Sequence, residues 1–137
     1  MKSLLIIFPL LISGCYLANG SPNSYTFWIK DGKQISYKER QLCYERGKSN
    51  LYKKDKERLE YLENRYKELG YSDNGSSIMR TKYPNEYQEY LYLSELIPSH
   101  SQCYYDLGYR FKAPLTWCLT QDGDNTKICI ENMKYRN

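Results

Sequence analysis

Histidine is nearly absent from this chain: His100 is the only one in 137 residues. A metal centre built on several histidines is therefore excluded, and a nucleophile relay has a single candidate base. The five cysteines include no Cys-x-x-Cys spacing, which removes the usual redox dithiol. Long apolar runs are missing too. The longest, residues 4–12, has nine residues and contains Pro9. At 1.5 Å per residue it falls far short of a bilayer core of roughly 30 Å. Phenylalanine is scarce, three against sixteen tyrosines. Net charge is also small, +4 for the whole chain. That is too little to argue for nucleic acid.

The start of the chain is its most specific stretch. Met1-Lys2-Ser3 is a short positive segment, residues 4–12 form an apolar segment of export-signal length, and the small residues Ser13 and Gly14 precede Cys15. Ile12-Ser13-Gly14-Cys15 resembles the lipobox of bacterial lipoproteins. That resemblance implies a signal peptide over 1–14, removed before a Cys15 that carries diacylglycerol on its sulfur and an acyl group on its new amino terminus. Removal takes Lys2 with it and lowers the charge to +3. Two or more acyl chains hold a protein stably on a membrane, where one holds it marginally. Tyr16 stands where an aspartate would retain a lipoprotein at the inner membrane, so the resemblance implies the outer membrane. Residues 15–24, rich in Gly, Pro, Asn and Ser, read as a lipidated flexible tether, and 25–137 as a single globular disulfide-bonded domain. The covalent lipid on Cys15 is the only non-protein group expected.

Within that domain, residues 25–35 begin aromatic and β-prone and turn at Asp31-Gly32. Trp28 is expected to pack its ring onto the helical body. Ser36-Tyr37-Lys38-Glu39 has capping-box form, which opens a helix at Ser36 that carries Leu42, Cys43 and Arg46 and ends at Gly47. Leu59, Leu62, Tyr66 and Leu69 recur at helical spacing and place a second helix over 50–69, stopped by Gly70. Lys53 with Glu57, Lys56 with Glu60 and Glu63 with Lys67 support its outer face. Residues 71–82 read as an exposed loop. Pro84 fits the first turn of a third helix with a face of Tyr87, Tyr90, Leu91, Leu93 and Ile97, broken by Pro98. Ser99-His100-Ser101-Gln102 opens a short helix that passes through Cys103 and Leu107 to Gly108.

Four cysteines remain after lipidation, Cys43, Cys103, Cys118 and Cys129. An even number in an exported chain reads as two disulfides, with three possible connectivities. A zinc site on His100 and Cys103 is outweighed by plain disulfides. Residues 115–120 and 126–130 alternate like strands around a Gly123-Asp124 turn, yet Leu115, Cys118 and Leu119 also share a helical face, as do Cys129 and Met133. Either way Cys118 meets Cys129, so the expected pairing is Cys43–Cys103 and Cys118–Cys129. The fold expected is mainly α, a small disulfide-stapled domain of three to four helices with a C-terminal Cys118–Cys129 hairpin of β or short α type.

Trp28-x-Lys30-x-Gly32, a helix ending Cys43-Tyr44-x-x-Gly47, and Cys103 followed by Leu107-Gly108-Tyr109 resemble small lipoproteins of Gram-negative bacteria that carry Trp-x-Lys-x-Gly after the tether and two later cysteines. The resemblance implies no catalytic residues, and the Cys118–Cys129 tail extends beyond it.

The remaining constellations are weak chemically. Ser99 and Ser101 flank His100 in what is foremost a helix start. Glu60 with Glu63, and Glu86 with Glu89, read as solvated helix faces. Asp122-Gly123-Asp124-Asn125-Thr126 reads as a turn, because a calcium loop starting there would need a glutamate where Met133 stands. Arg46, Lys48, Lys53, Lys54, Lys56 and Arg58 form a basic cluster that reads as a solvated face and would suit anionic lipid head groups. Tyr83, Tyr87, Tyr90 and Tyr92 cover more than one helix face, so some are expected at the surface as binding residues. The functional expectation is a membrane-anchored, non-enzymatic binding module of the outer envelope, held by its N-terminal lipid, with a protein or glycan partner and no nucleic acid. The alternatives are an inhibitor of a host or rival hydrolase such as a lysozyme and, more remotely, a hydrolase using His100.

Overall fold

Ser36 starts the first helix in the manner its sequence dictates. Its hydroxyl accepts from the Glu39 backbone N–H at 3.2 Å, and the Glu39 carboxylate accepts from the Ser36 N–H at 3.2 Å, so two otherwise unpaired donors are satisfied reciprocally. The computed structural model describes residues 22–70, 74–120 and 123–137. The signal segment, Cys15 and most of the tether lie outside the described residues. The chain divides into two units, one of residues up to Ile35 together with Tyr104–Asn137, the other Ser36–Cys103. Each holds one disulfide, Cys118–Cys129 in the first and Cys43–Cys103 in the second.

The unit Ser36–Cys103 is built on α1 (Tyr37–Ser49), α2 (Lys53–Glu68), α3 (Asn74–Lys82) and α4 (Pro84–Glu95), with the first residues of α5 (Ser101–Asp106). Its centre is Leu59 and Leu62 of α2, Met79 of α3 and Leu93 of α4, ringed by Tyr66, Tyr83, Tyr87, Tyr90 and Ile97. Tyrosine here seals the rim of an aliphatic core, its ring inward and its hydroxyl able to reach water. Two features correct the sequence expectation. Residues 71–82 are not a loop throughout, since α3 occupies Asn74–Lys82 and drives a fully buried Met79 into the core. α1 does not end at Gly47 but runs through it to Ser49. A Cβ on Gly47 would lie 2.7 Å from Ile97 Cγ2, so this glycine serves close approach rather than termination. Tyr83 breaks from helical geometry (φ −132°) because the following Pro84 disfavours it, and this separates α3 from α4.

The other unit is aromatic. β1 (Trp28–Lys30) pairs antiparallel with β2 (Lys33–Gln34) across the Asp31-Gly32 turn, and on its other edge with β3 (Arg110–Phe111), giving the order β2-β1-β3. Trp28 is buried against Phe111, Tyr104 and Tyr135, and Phe27 meets Trp117 at 4.7 Å between ring centroids. After Asp106 the chain closes α5 with a Schellman pair: Gly108 N–H donates to Tyr105 O and Tyr109 N–H to Tyr104 O, with Gly108 at φ 92°. Lys30 Nζ donates to Leu107 O at 2.8 Å and lies over the Tyr109 ring. The Trp-x-Lys-x-Gly and Leu-Gly-Tyr motifs thus meet. Trp28 fills the core, Lys30 caps the end of α5, and Gly32 (φ 73°) makes the hairpin turn.

The C-terminal segment overturns the expected hairpin. α6 (Leu115–Cys118) and α7 (Asn125–Asn132) are helices, followed by a 3-10 turn over Met133–Tyr135. The helical period prevails because Asn125, Cys129 and Asn132, spaced by four and three, are the buried side of α7. With α3, α6 and α7 counted, the described residues hold seven α-helices instead of three to four. The mainly helical character with two disulfides stands.

Candidate functional site

The α1 residues Gln41, Tyr44, Glu45 and Lys48 follow the i, i+3, i+4, i+7 rhythm that marks one face of a helix, but the face is polar. On α2, Glu63, Tyr66 and Lys67 are spaced likewise, and on α4 Tyr90 and Ser94 are one turn apart. These nine side chains line a cavity of about 310 Å³ within the unit Ser36–Cys103. That lies at the small end of the range for small-molecule sites.

Its wall is a connected network. Lys48, 5% exposed, places Nζ 3.0 Å from Glu63 Oε2 and 3.1 Å from Glu45 Oε2. Tyr44 donates its hydroxyl to the other Glu63 oxygen, and Gln41 Nε2 donates to Glu45 at 3.4 Å. Burial alone would pull the Lys48 ammonium down, yet the two carboxylates outweigh it and hold it above the ordinary lysine value. Burial and the Glu63 carboxylate together push the Tyr44 phenol far above its ordinary range. Lys48 therefore stays charged and Tyr44 stays protonated at neutral pH. Two ammonium groups, Lys48 and Lys67, balance two carboxylates, Glu45 and Glu63, so the lining carries no net charge.

Tyr90 stacks on Tyr66 with centroids 5.7 Å apart and rings 16° from parallel. Of the four tyrosines expected to bind, only Tyr90 lines the cavity. Tyr83 and Tyr87 pack against the aliphatic core, the Arg65 guanidinium covers the Tyr83 ring at 4.5 Å, and Tyr92 is 62% exposed outside that cluster. The basic cluster is likewise dispersed. Lys48 is buried in the network, and Arg58 makes two bonds of 2.9 and 2.7 Å to Glu89. That bond holds the Glu89 carboxyl below its ordinary value. Arg65 bonds Glu86 at 3.2 Å. Glu86 and Glu89, read from sequence as a solvated carboxylate pair, instead clamp α4 to α2. Glu63, expected to pair with Lys67, turns inward to Lys48.

His100 sits edge-on to Tyr44, 5.9 Å between centroids, and burial lowers its pKa, favouring the neutral imidazole. Ser99 Oγ donates to Ser101 Oγ at 3.0 Å. Among the described residues, no group of three or more His, Cys, Asp or Glu side chains is placed to hold a metal ion, and no helix is long and apolar enough to cross a membrane.

The network was missed from sequence because Gln41, Tyr44, Glu45 and Lys48 lie in a helix with no apolar stripe. The signal was there in their spacing: a polar face that a lone surface helix would not need to keep in register. Comparisons with protein-family models, with curated proteins and with solved structures gave no match.

Proposed function

We propose that this protein is a lipid-anchored, non-enzymatic binding protein of the bacterial outer envelope, and that it takes a small, uncharged, hydroxyl-rich ligand in the cavity between α1, α2 and α4. The lining of that cavity carries the reading. Its formal charges sum to zero and both carboxylates already pair with Lys48, so a charged ligand gains little there. Its tyrosine rings and amide, hydroxyl and carboxylate groups suit the faces and hydroxyls of a saccharide. Lys48 and Tyr44 are held in their resting protonation states, which suits recognition better than proton transfer. The anchor rests on Ile12-Ser13-Gly14-Cys15.

The test is titration of the purified protein with a panel of neutral oligosaccharides, followed by amide chemical shifts. Saturable shifts at α1 and α4, weakened at least about tenfold by Tyr90→Ala (the size of roughly one lost stacking contact), support the reading. A panel that leaves those amides unmoved sinks it.

A further inference from the structure

α1 supplies four of the nine side chains that line the cavity, yet it gives no residue to the aliphatic core of its unit. Leu59, Leu62, Met79 and Leu93 belong to α2, α3 and α4, and among the described residues packed around them none lies on α1. What α1 itself buries is Cys43, Gly47 and Lys48. Each makes a different kind of contact. Gly47 admits Ile97 closely, Lys48 enters the ion network with Glu63, and Cys43 is bonded to Cys103. Ile97, His100 and Cys103 all lie on the segment after α4, so the bond at Cys103 clamps that segment to α1. Leu51 packs against the core just beyond the helix, which moors only its C-terminal end.

The non-covalent contacts hold α1 weakly against water. A helix that swings away returns Lys48, Glu45 and Glu63 to solvent together, so the intact network adds little net attraction. Gly47 has no side chain to bury. Nor does α1 hold itself. It has 13 residues, a glycine inside it and no apolar stripe, and a helix of that length is marginal alone. We propose that Cys43–Cys103 is the latch of the binding site: closing it docks α1 as a wall of the cavity, and the dithiol chain has no cavity to fill. Closure takes two electrons and two protons from the Cys43 and Cys103 thiols by exchange with an oxidising disulfide. That disulfide's own S–S bond breaks to two thiols as the new one forms. Both cysteines are then buried, 1% and 9% exposed, so a thiolate reaches neither sulfur while α1 is docked. The latch reopens only after α1 comes away. Binding is thereby confined to chains that have met an oxidising compartment, while α2, α3 and α4 keep their core in either state.

This inference rests on the cavity being a binding site, and the experiment reads the two separately. Amide hydrogen exchange is measured without ligand on the oxidised full chain, on a Cys43→Ala, Cys103→Ala pair and on a Cys118→Ala, Cys129→Ala pair. Each is then titrated with the panel of neutral oligosaccharides. The latch predicts that α1 amides exchange at least about tenfold faster in the first pair, while those of Leu59, Leu62 and Leu93 keep their protection. Affinity should fall at least about tenfold in the first pair and hold in the second. Undiminished protection of α1, or unchanged affinity in the first pair, overturns the proposal. Loss of α2 and α4 protection along with α1 also overturns it, because α1 is then part of one cooperative body. Equal loss of affinity in both pairs marks general destabilisation and does the same. A panel that binds none of the three chains ends the saccharide reading alone, and α1 exchange then decides the latch.

Discussion

Lys48 illustrates what a buried charge requires. Its ammonium is out of water, and what keeps it tolerable is contact with both Glu45 and Glu63, the second fixed in turn by Tyr44. Removing one member strands the rest, and stranded buried charge is costly even where the intact pair adds little net stability. Lys48→Ala should therefore lower unfolding stability by about 3 kcal/mol in urea titration, whereas Tyr44→Phe, which leaves the ion pair in place, should cost about 1 kcal/mol. Gly47 shows the opposite economy, where no side chain at all is the requirement. A methyl group there meets Ile97 Cγ2 at 2.7 Å, so Gly47→Ala should destabilise by about 1–3 kcal/mol in the same titration, and should cost less in an Ile97→Ala background, where Cγ2 is gone. The identity of these residues was plain in the sequence, but their roles were not. Lys48 looked like one more cation in a basic stretch because only Glu45 lies within its own helix, while Glu63, the partner that turns it inward, lies fifteen residues away, beyond any local pattern.

At the level of elements, local chemistry was legible where it is self-contained. The Ser36–Glu39 capping box, Pro84 at the start of α4 and the glycine at the end of α5 each need only residues within one or two turns, and each reads directly from sequence. α3 was not legible. Its surroundings are Ser, Asp, Asn and Gly, which favour turns, and among its described side chains the buried one is Met79, packed with Leu59 and Leu62 of α2 and Leu93 of α4. Tertiary packing overrides propensity there. The tail was ambiguous because period-two and period-3.6 readings both bring Cys118 to Cys129, and the choice is made by which residues of α7 are buried. Ser36→Ala should cost about 1 kcal/mol by losing one cap. Met79→Ala should cost about 2–5 kcal/mol by opening a cavity in the core α3 shares with α2 and α4, and amide hydrogen exchange should show α3 opening before α2.

For the whole molecule, stability follows pH through groups on both sides of neutrality. Burial lowers the His100 pKa, so its contribution is complete above the ordinary value of 6.5 and is lost as pH falls through the lower folded value. Glu89, lowered by Arg58, adds an acid loss that begins below 4.5. Lys48 and Tyr44 have raised values, so their contributions are complete up to about pH 10 and are lost above it. Urea midpoints should accordingly be highest between about pH 7 and 9.5. The fall between pH 7 and 5 should be shallower in His100→Gln. The two disulfides close loops with separations of 60 and 11 residues. In the chain-entropy model their removal should cost about 4 and about 3 kcal/mol, read as paired Cys→Ala variants.

The sequence order of those disulfides has a consequence for how the protein is made. Cysteines at 43, 103, 118 and 129 pair first with second and third with fourth. With Cys15 taken by lipid, as proposed, a chain oxidised in the order its remaining thiols emerge would reach this connectivity directly. Residues 36–103 are also continuous and complete before Cys118 is reached, so that unit can be locked early. β1, by contrast, must wait some eighty residues for its partner β3. Oxidised in that order, the chain would close the staple of the uninterrupted unit first, and Cys118–Cys129 would seal the other unit last.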